Sequence, residues 1–169
     1  YTTSHPKDVT QDLIKAHKHC EKLMPLLHLP VQSGSSKILN KMNRKHNISH
    51  YYEVIDALKK AKPDIRFSSD FIIGYPGETD DDFNQTLELI KKVKFINSYS
   101  FIYSSRPGTP ASKLQDTDAA TAKKRLIKLQ DLLETNNSNF KKEFLNKSTE
   151  VLFENKLKKQ NKYFGRDKF

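Results

Sequence analysis

His28-Leu29-Pro30-Val31-Gln32-Ser33-Gly34-Ser35 carries an apolar strand into a polar, glycine-containing turn. Asp70-Phe71-Ile72-Ile73-Gly74-Tyr75-Pro76-Gly77-Glu78-Thr79 repeats the arrangement further along. Both turns lead into helical periodicity, and such strand-to-turn junctions are where α/β proteins place ligand groups. Leu26 to Val31 reads as a short buried strand, followed by a helix starting at Ser35 or Ser36 with Ile38, Leu39 and Met42 inward. A second helix spans about 49–61 with Tyr52, Ile55 and Leu58 inward, and stops before Pro63. Ile65 to Ile73 is the next strand. Thr79 and Asp82 then form a capping-box-like start for a helix carrying Phe83, Leu87, Ile90 and Val93. Tyr99 to Tyr103 is a further strand, and a long helix follows over about 119–144.

Upstream, Asp8 is the expected N-cap of an amphipathic run with Leu13, Ile14, His17, Cys20, Leu23 and Met24 on one side. Cys20 is expected there as a small buried hydrophobe. Strands alternating with helices predict a parallel sheet with right-handed crossovers. Three complete strands are visible, and Tyr1-Thr2-Thr3 reads as the tail of a fourth. That is too few for an eight-stranded barrel. After Phe144 the pattern breaks, and Thr149 to Glu154 reads as the first strand of a new unit.

The chain has 169 residues, with 30 Lys plus Arg against 20 Asp plus Glu, so its net charge is +10. This balance favours a polyanionic partner. Lys156, Lys158, Lys159, Lys162, Arg166 and Lys168 concentrate the charge near one end, among Phe153, Tyr163, Phe164 and Phe169. Aromatics among cations suit a surface that stacks bases and neutralises phosphates, although a solvated charge run has the same composition. With one cysteine, neither an intramolecular disulfide nor a multi-cysteine metal site can form within the chain. No stretch reaches the roughly 20 apolar residues of a membrane span. A cytoplasmic monomer is the expectation.

Four residues are candidates for ligand contact. Gln32 and Ser33 lie just past an apolar strand and can bond a diol or a carboxylate. Arg44 offers a planar fork that suits a carboxylate. Asp70 is an ionisable group inside an apolar strand, which costs stability unless it is partnered. Each also has a structural reading: Gln32 as a helix cap, Arg44 as a complement to a helix dipole, Asp70 as an acceptor of backbone N–H groups. Glu78 could bind a substrate or the helix N-terminus. The histidines lack metal-ligand spacing, and no serine, histidine and acid set suggests a hydrolase elbow.

Taken in order, Tyr1-Thr2-Thr3-Ser4-His5-Pro6, the His28–Ser35 segment, Met42-Asn43-Arg44-Lys45-His46, the strand with Gly74–Thr79, and Tyr103-Ser104-Ser105-Arg106-Pro107-Gly108-Thr109-Pro110 resemble the later part of the radical S-adenosylmethionine (SAM) methylthiotransferases. The likeness covers nearly the whole chain and favours the tRNA-modifying branch. It implies the C-terminal portion of a partial (β/α)6 barrel over 1–146, with SAM at the strand ends near Gln32, Ser33, Arg44 and Asp70. It also implies that 147–169 begin a TRAM domain, a small RNA-binding β-barrel.

The implied activity is addition of a methylthio group at C2 of N6-isopentenyladenosine next to the anticodon, by radical chemistry that starts from SAM. The family holds 4Fe–4S clusters on cysteine thiolates that this chain lacks. The resemblance therefore implies a fragment, inactive alone, whose clusters, tRNA, sulfur donor and electron donor belong to the longer enzyme. The alternative is a non-catalytic basic RNA-binding protein with a degenerate barrel.

Overall fold

The computed structural model of the chain describes residues 5–158 and 161–169. The suggested strand tail at Tyr1-Thr2-Thr3 and Lys159 of the basic run lie outside them. Four short parallel strands follow the expected order: β1 (Leu26–His28), β2 (Arg66–Ser68), β3 (Asp70–Ile73) and β4 (Tyr99–Ile102). β1 pairs with β2, with His28 opposite Ser68, and β3 pairs with β4, with Asp70 opposite Tyr99. A bridge between Gln32 and Phe71 and the bond from Ile96 N–H to the Phe67 carbonyl join these pairs into one strip. Residues 66–73 run through its middle.

The expected unbroken strand Ile65–Ile73 is interrupted at Ser69, and the reason is chemical. Ser69 is fully buried; its hydroxyl accepts from Val31 N–H at 2.9 Å and donates to the Leu29 carbonyl at 3.1 Å. Its own N–H donates to Ser98 Oγ at 3.0 Å. Hydroxyls thus replace ladder bonds while every polar group stays satisfied.

Helices α1 (Gln11–His19), α2 (Ser36–Lys41), α3 (Ile48–Ala61), α4 (Asp80–Val93) and α5 (Ala119–Lys142) supply the rest. One apolar cluster joins Leu27, Leu29 and Val31 to Tyr51, Ile55, Leu58, Phe67, Phe71, Ile73, Phe83, Ile90 and Leu129. Phe71 and Ile73 point into it, so the alternation of a strand turns Asp70 and Ile72 to the opposite face.

Local expectations fail in several places, and Met24, expected on the apolar side of the first helix, lies beyond the end of α1 and is 59% exposed. Thr10, not Asp8, caps α1, because Pro6–Asp8 forms a 3-10 turn that uses up those residues. Cys20 is exposed: α1 ends at His19, so the helical spacing that would have carried the thiol inward stops one residue short. In α3 the fully buried ring is Tyr51, whose hydroxyl donates to the Leu29 carbonyl at 2.9 Å, while Tyr52 is only partly buried.

Near the C-terminus, β5 (Leu152–Lys156) and β6 (Tyr163–Arg166) form an antiparallel hairpin. Leu152, Phe153, Tyr163 and Phe164 remain exposed on it. Phe169 packs its ring on Phe140 and Phe144 of α5.

Candidate functional site

A cavity of 890 Å³ opens on the Asp70–Ile72 face of the strip, largely towards the strand ends. Gln32, Arg44 and Asp70 line it together, although they come from three different segments. Ser33 does not reach it. That side chain is buried, its hydroxyl lies 3.4 Å from Thr86 Oγ1, and it accepts from Ser35 N–H at 3.2 Å.

Gln32 neither caps a helix nor sits in ordinary extended backbone. Its φ is 76°, in the left-handed region that costs a residue with a side chain energy. Both its backbone groups are nevertheless paired, the N–H with the Asp70 carbonyl and the carbonyl with Ile72 N–H. The bend steers the chain from β1 towards Gly34, whose N–H donates to Thr86 Oγ1 at 2.9 Å. A Cβ on Gly34 would come within 2.5 Å of Gln85 O and Thr86 Cα, so only glycine lets this turn lie on α4.

Ser35 then caps α2 and donates to Asp82 Oδ1 at 2.7 Å. Asp82 completes the capping box with Thr79 and also receives Lys37 Nζ at 2.7 Å. Burial would raise its pKa, but the bonds from Lys37, Ser35 and Thr79 outweigh burial and hold it far below the usual carboxylate range. Asp82 thereby fixes the α2 start against the α4 start.

Asp70 takes no backbone role. Its Oδ2 lies 3.4 Å from His28 Nε2, and His28 Nδ1 is 2.8 Å from Ser68 Oγ. Arg44 lies after α2, with its N–H on the Leu39 carbonyl. Burial lowers the pKa of its guanidinium from the ordinary value, and the Asp70 charge opposes that shift. The cavity thus holds a fixed cation and a carboxylate close enough to feel each other, beside an amide.

Glu78 belongs to the framework. Its side chain is fully buried; Oε2 accepts from Gly74 N–H at 3.0 Å and from Arg125 Nη1 at 2.9 Å. Arg125 Nη2 reaches Asp80 at 2.7 Å. Desolvation raises the Glu78 pKa, and the Gly74 N–H and Arg125 oppose it.

Sequence reasoning on single residues passed over His5, Phe101 and Arg106, which line the same cavity. The alternation Tyr99-x-Phe101-x-Tyr103 carries the signal for Phe101. Among the described residues no group of three or more His, Cys, Asp or Glu is placed to hold a metal ion. No helix among them is long and apolar enough to cross a membrane.

Residues 1–90 match the family model of the radical SAM superfamily. A tRNA-2-methylthio-N(6)-dimethylallyladenosine synthase from Pelagibacter ubique is 57% identical over 169 residues, which is 100% of this chain and 38% of the relative. Proteins of the same name from Ehrlichia canis and from the Wolbachia of Culex pipiens are 50% and 48% identical, over 98% and 100% of this chain. The chain spans 38% to 39% of the length of these curated relatives. Among solved structures, the radical SAM enzyme coproporphyrinogen III oxidase from Escherichia coli superposes with a TM-score of 0.61. That match has 16% identity and covers 79% of this chain and 31% of the other, a likeness of fold.

Proposed function

The chain belongs to the radical SAM superfamily, and from that premise we propose that it forms the C-terminal part of a tRNA methylthiotransferase acting on N6-isopentenyladenosine. The observation that carries the reading is the identity of 46% to 57% that runs through essentially the whole chain to relatives bearing that name. The cavity supports it from the side of chemistry.

SAM presents a carboxylate, an amino group, a ribose diol and an adenine. The residues present fit this set: the Arg44 fork suits the carboxylate, the Gln32 amide both donates and accepts, and Asp70 accepts from an amine or a diol. SAM, when bound, supplies the radical chemistry of the superfamily. This chain's residues bind and orient it: the His28 contact holds one oxygen of Asp70, which leaves the other for the ligand. Ile72 and Tyr75 line the cavity beside these groups and restrict water there.

A 4Fe–4S cluster does not fit this segment. Cys20 is the one thiol in the sequence and is not among the cavity residues. The cluster ligands of the proposed enzyme would come from residues beyond these. Residues 147–169 are read as the start of its TRAM domain, in keeping with the β5–β6 hairpin and its exposed aromatics among lysines. The reading takes the enzyme as a monomer working in the cytoplasm, the compartment in which a bacterial tRNA is modified.

The test is to express the complete gene product in a bacterium deleted for its own enzyme and to measure methylthiolated isopentenyladenosine in digested tRNA by mass spectrometry. The wild type should restore the nucleoside, whereas Arg44→Ala and Asp70→Asn should abolish it and weaken SAM binding in calorimetry. Both variants binding SAM like the wild type would remove the site assignment. A wild type that leaves the nucleoside absent would remove the activity.

A further inference from the structure

The cavity has a second half that the SAM assignment leaves unused. Parallel register places Phe101 beside Ile72 and Tyr99 beside Asp70. Phe101 thus shares the face of Ile72, and it lines the cavity together with Ile102 and Tyr103, whereas Tyr99 on the same face lies outside the cavity. Phe101 is 56% exposed, whereas Phe71, one strand inward, is fully buried. An exposed aromatic at the wall of a cavity gains when an apolar group covers it, and a flat group adds a stacking contact.

Tyr103 is held for such a contact. Its ring stands edge-on to Tyr75 at 5.0 Å, and the Tyr75 hydroxyl donates to the Lys41 carbonyl at 2.9 Å. The rim beside these rings is cationic. Lys41, Arg44 and Arg106 line the cavity, and Asp70 is the one carboxylate there among the described residues. A planar apolar wall edged by cations matches an unpaired nucleotide, with its base on the rings and its phosphate at the guanidinium.

We propose that Phe101 and Tyr103 form the stacking wall for an unpaired purine of the RNA substrate, and that Arg106 holds a phosphate beside it. The proposal rests on the tRNA reading above and deepens it by naming the residues that grip the base. Binding to Phe101 depends on the π-face and not on chain charge. Arg106, in contrast, acts through its charge, so salt separates the two contributions.

The experiment uses the complete gene product and a fluorescent anticodon stem-loop carrying N6-isopentenyladenosine, with anisotropy as readout and no turnover required. Phe101→Ala should weaken binding about tenfold with an unchanged salt slope, in line with the loss of one base–aromatic stack. Arg106→Ala should reduce the slope of log K against log salt by about 0.7, as for one lost single-strand phosphate contact.

The decisive arm repeats the titration with an RNA that is abasic at the purine. Wild type should lose affinity for it, and Phe101→Ala should lose nothing further, because both changes remove the same contact. Additive losses, or unchanged affinity in Phe101→Ala, overturn the proposal. If Phe101→Ala fails to fold by circular dichroism, Phe101→Leu keeps the apolar volume without the π-face and is subject to the same criteria. A wild type that binds neither RNA overturns the tRNA reading itself, an outcome visible before any variant is compared.

Discussion

Gln32 is held at φ 76° although glycine or asparagine would sit there more easily, and the proposed SAM site gives its amide a role that backbone alone would not fill. Replacement separates the two roles. In Gln32→Gly, relief of strain offsets the greater freedom of the unfolded chain, and stability should change by less than about 1 kcal/mol. SAM affinity should fall, because the amide is gone. Gln32→Val, β-branched at positive φ, should lower both. Thermal unfolding and calorimetry on the three proteins check this, and a Gly variant with full SAM affinity would show that the amide touches nothing. His46 gives a pH prediction. It is buried, both ring nitrogens lack a hydrogen-bond partner among the described residues, and burial, with help from the His5, Arg44 and His50 charges, lowers its pKa from 6.5 to about 4. The unfolded chain then takes up a proton below pH 6.5 that the folded chain refuses until about 4, so stability is full above 6.5 and declines as pH falls through that window. His46→Phe should flatten part of the decline in urea titrations at pH 7 and pH 5, and the rest should stay with His5 and His17, whose pKa values burial also lowers. An unchanged pH dependence would exclude His46 as its source. Residue type and place, just past a strand for Gln32, one helix later for Arg44 and within a strand for Asp70, singled out three residues that line one cavity. The burial of Ser33 was not legible, because nothing in a Gln-Ser-Gly-Ser turn says which hydroxyl Thr86 will meet.

At the scale of elements, periodicity and capping chemistry carried most of the information. Thr79 and Asp82 start α4 as their spacing demands, since both halves of the capping box are internal to one turn. What spacing could not show was Asp82 reaching Ser35 and Lys37, or Arg125 of α5 reaching back to Glu78, because these partners lie more than forty residues away. Cys20 was misjudged for a related reason: helical period predicts a face only while the helix lasts, and α1 stops first. The Arg125–Glu78 pair clamps α5 onto the Gly74–Thr79 turn, with the Arg125 side chain 9% exposed and the Glu78 side chain fully buried. Arg125→Ala leaves that carboxylate buried without its counter-charge, and should cost about 3–5 kcal/mol in urea denaturation. The double variant Glu78→Gln with Arg125→Met keeps an acceptor for Gly74 N–H and removes both charges, so it should recover a clear part of that loss. A double variant no more stable than Arg125→Ala would mean that the uncompensated Glu78 charge is not what the single change costs.

For the whole molecule, two regions of unlike character flank one another in sequence. The α/β part buries a continuous apolar core and exposes single apolar side chains such as Met24, Leu114 and Ile127 besides those of β4, whereas the short β5–β6 hairpin leaves Leu152, Phe153, Tyr163 and Phe164 together in solvent. Its rings and cations interleave: Phe153 meets Tyr163 at 5.9 Å, and Lys156 Nζ lies 5.9 Å from the centre of the Tyr163 ring. The composition of 156–169 already carried that mixture, but composition could not choose between a solvated run and a binding surface. The hairpin gives the rings fixed places, because β5 and β6 are paired on both sides of a register shift between Phe153 and Asn155. If this end grips RNA, Lys156, Lys158 and Lys162 each displace a counterion, and the affinity for the stem-loop must carry their signature in salt. Lys156→Gln, Lys158→Gln and Lys162→Gln combined in the complete gene product should lower the slope of log K against log salt by about 2, at roughly 0.7 per phosphate contact. The Phe101→Ala change in the cavity should leave that slope alone, so the two ends of the binding surface are separable in one titration series. A slope that stays fixed when the three lysines are neutralised would place the hairpin away from the RNA and leave the net charge of +10 to act elsewhere on the molecule.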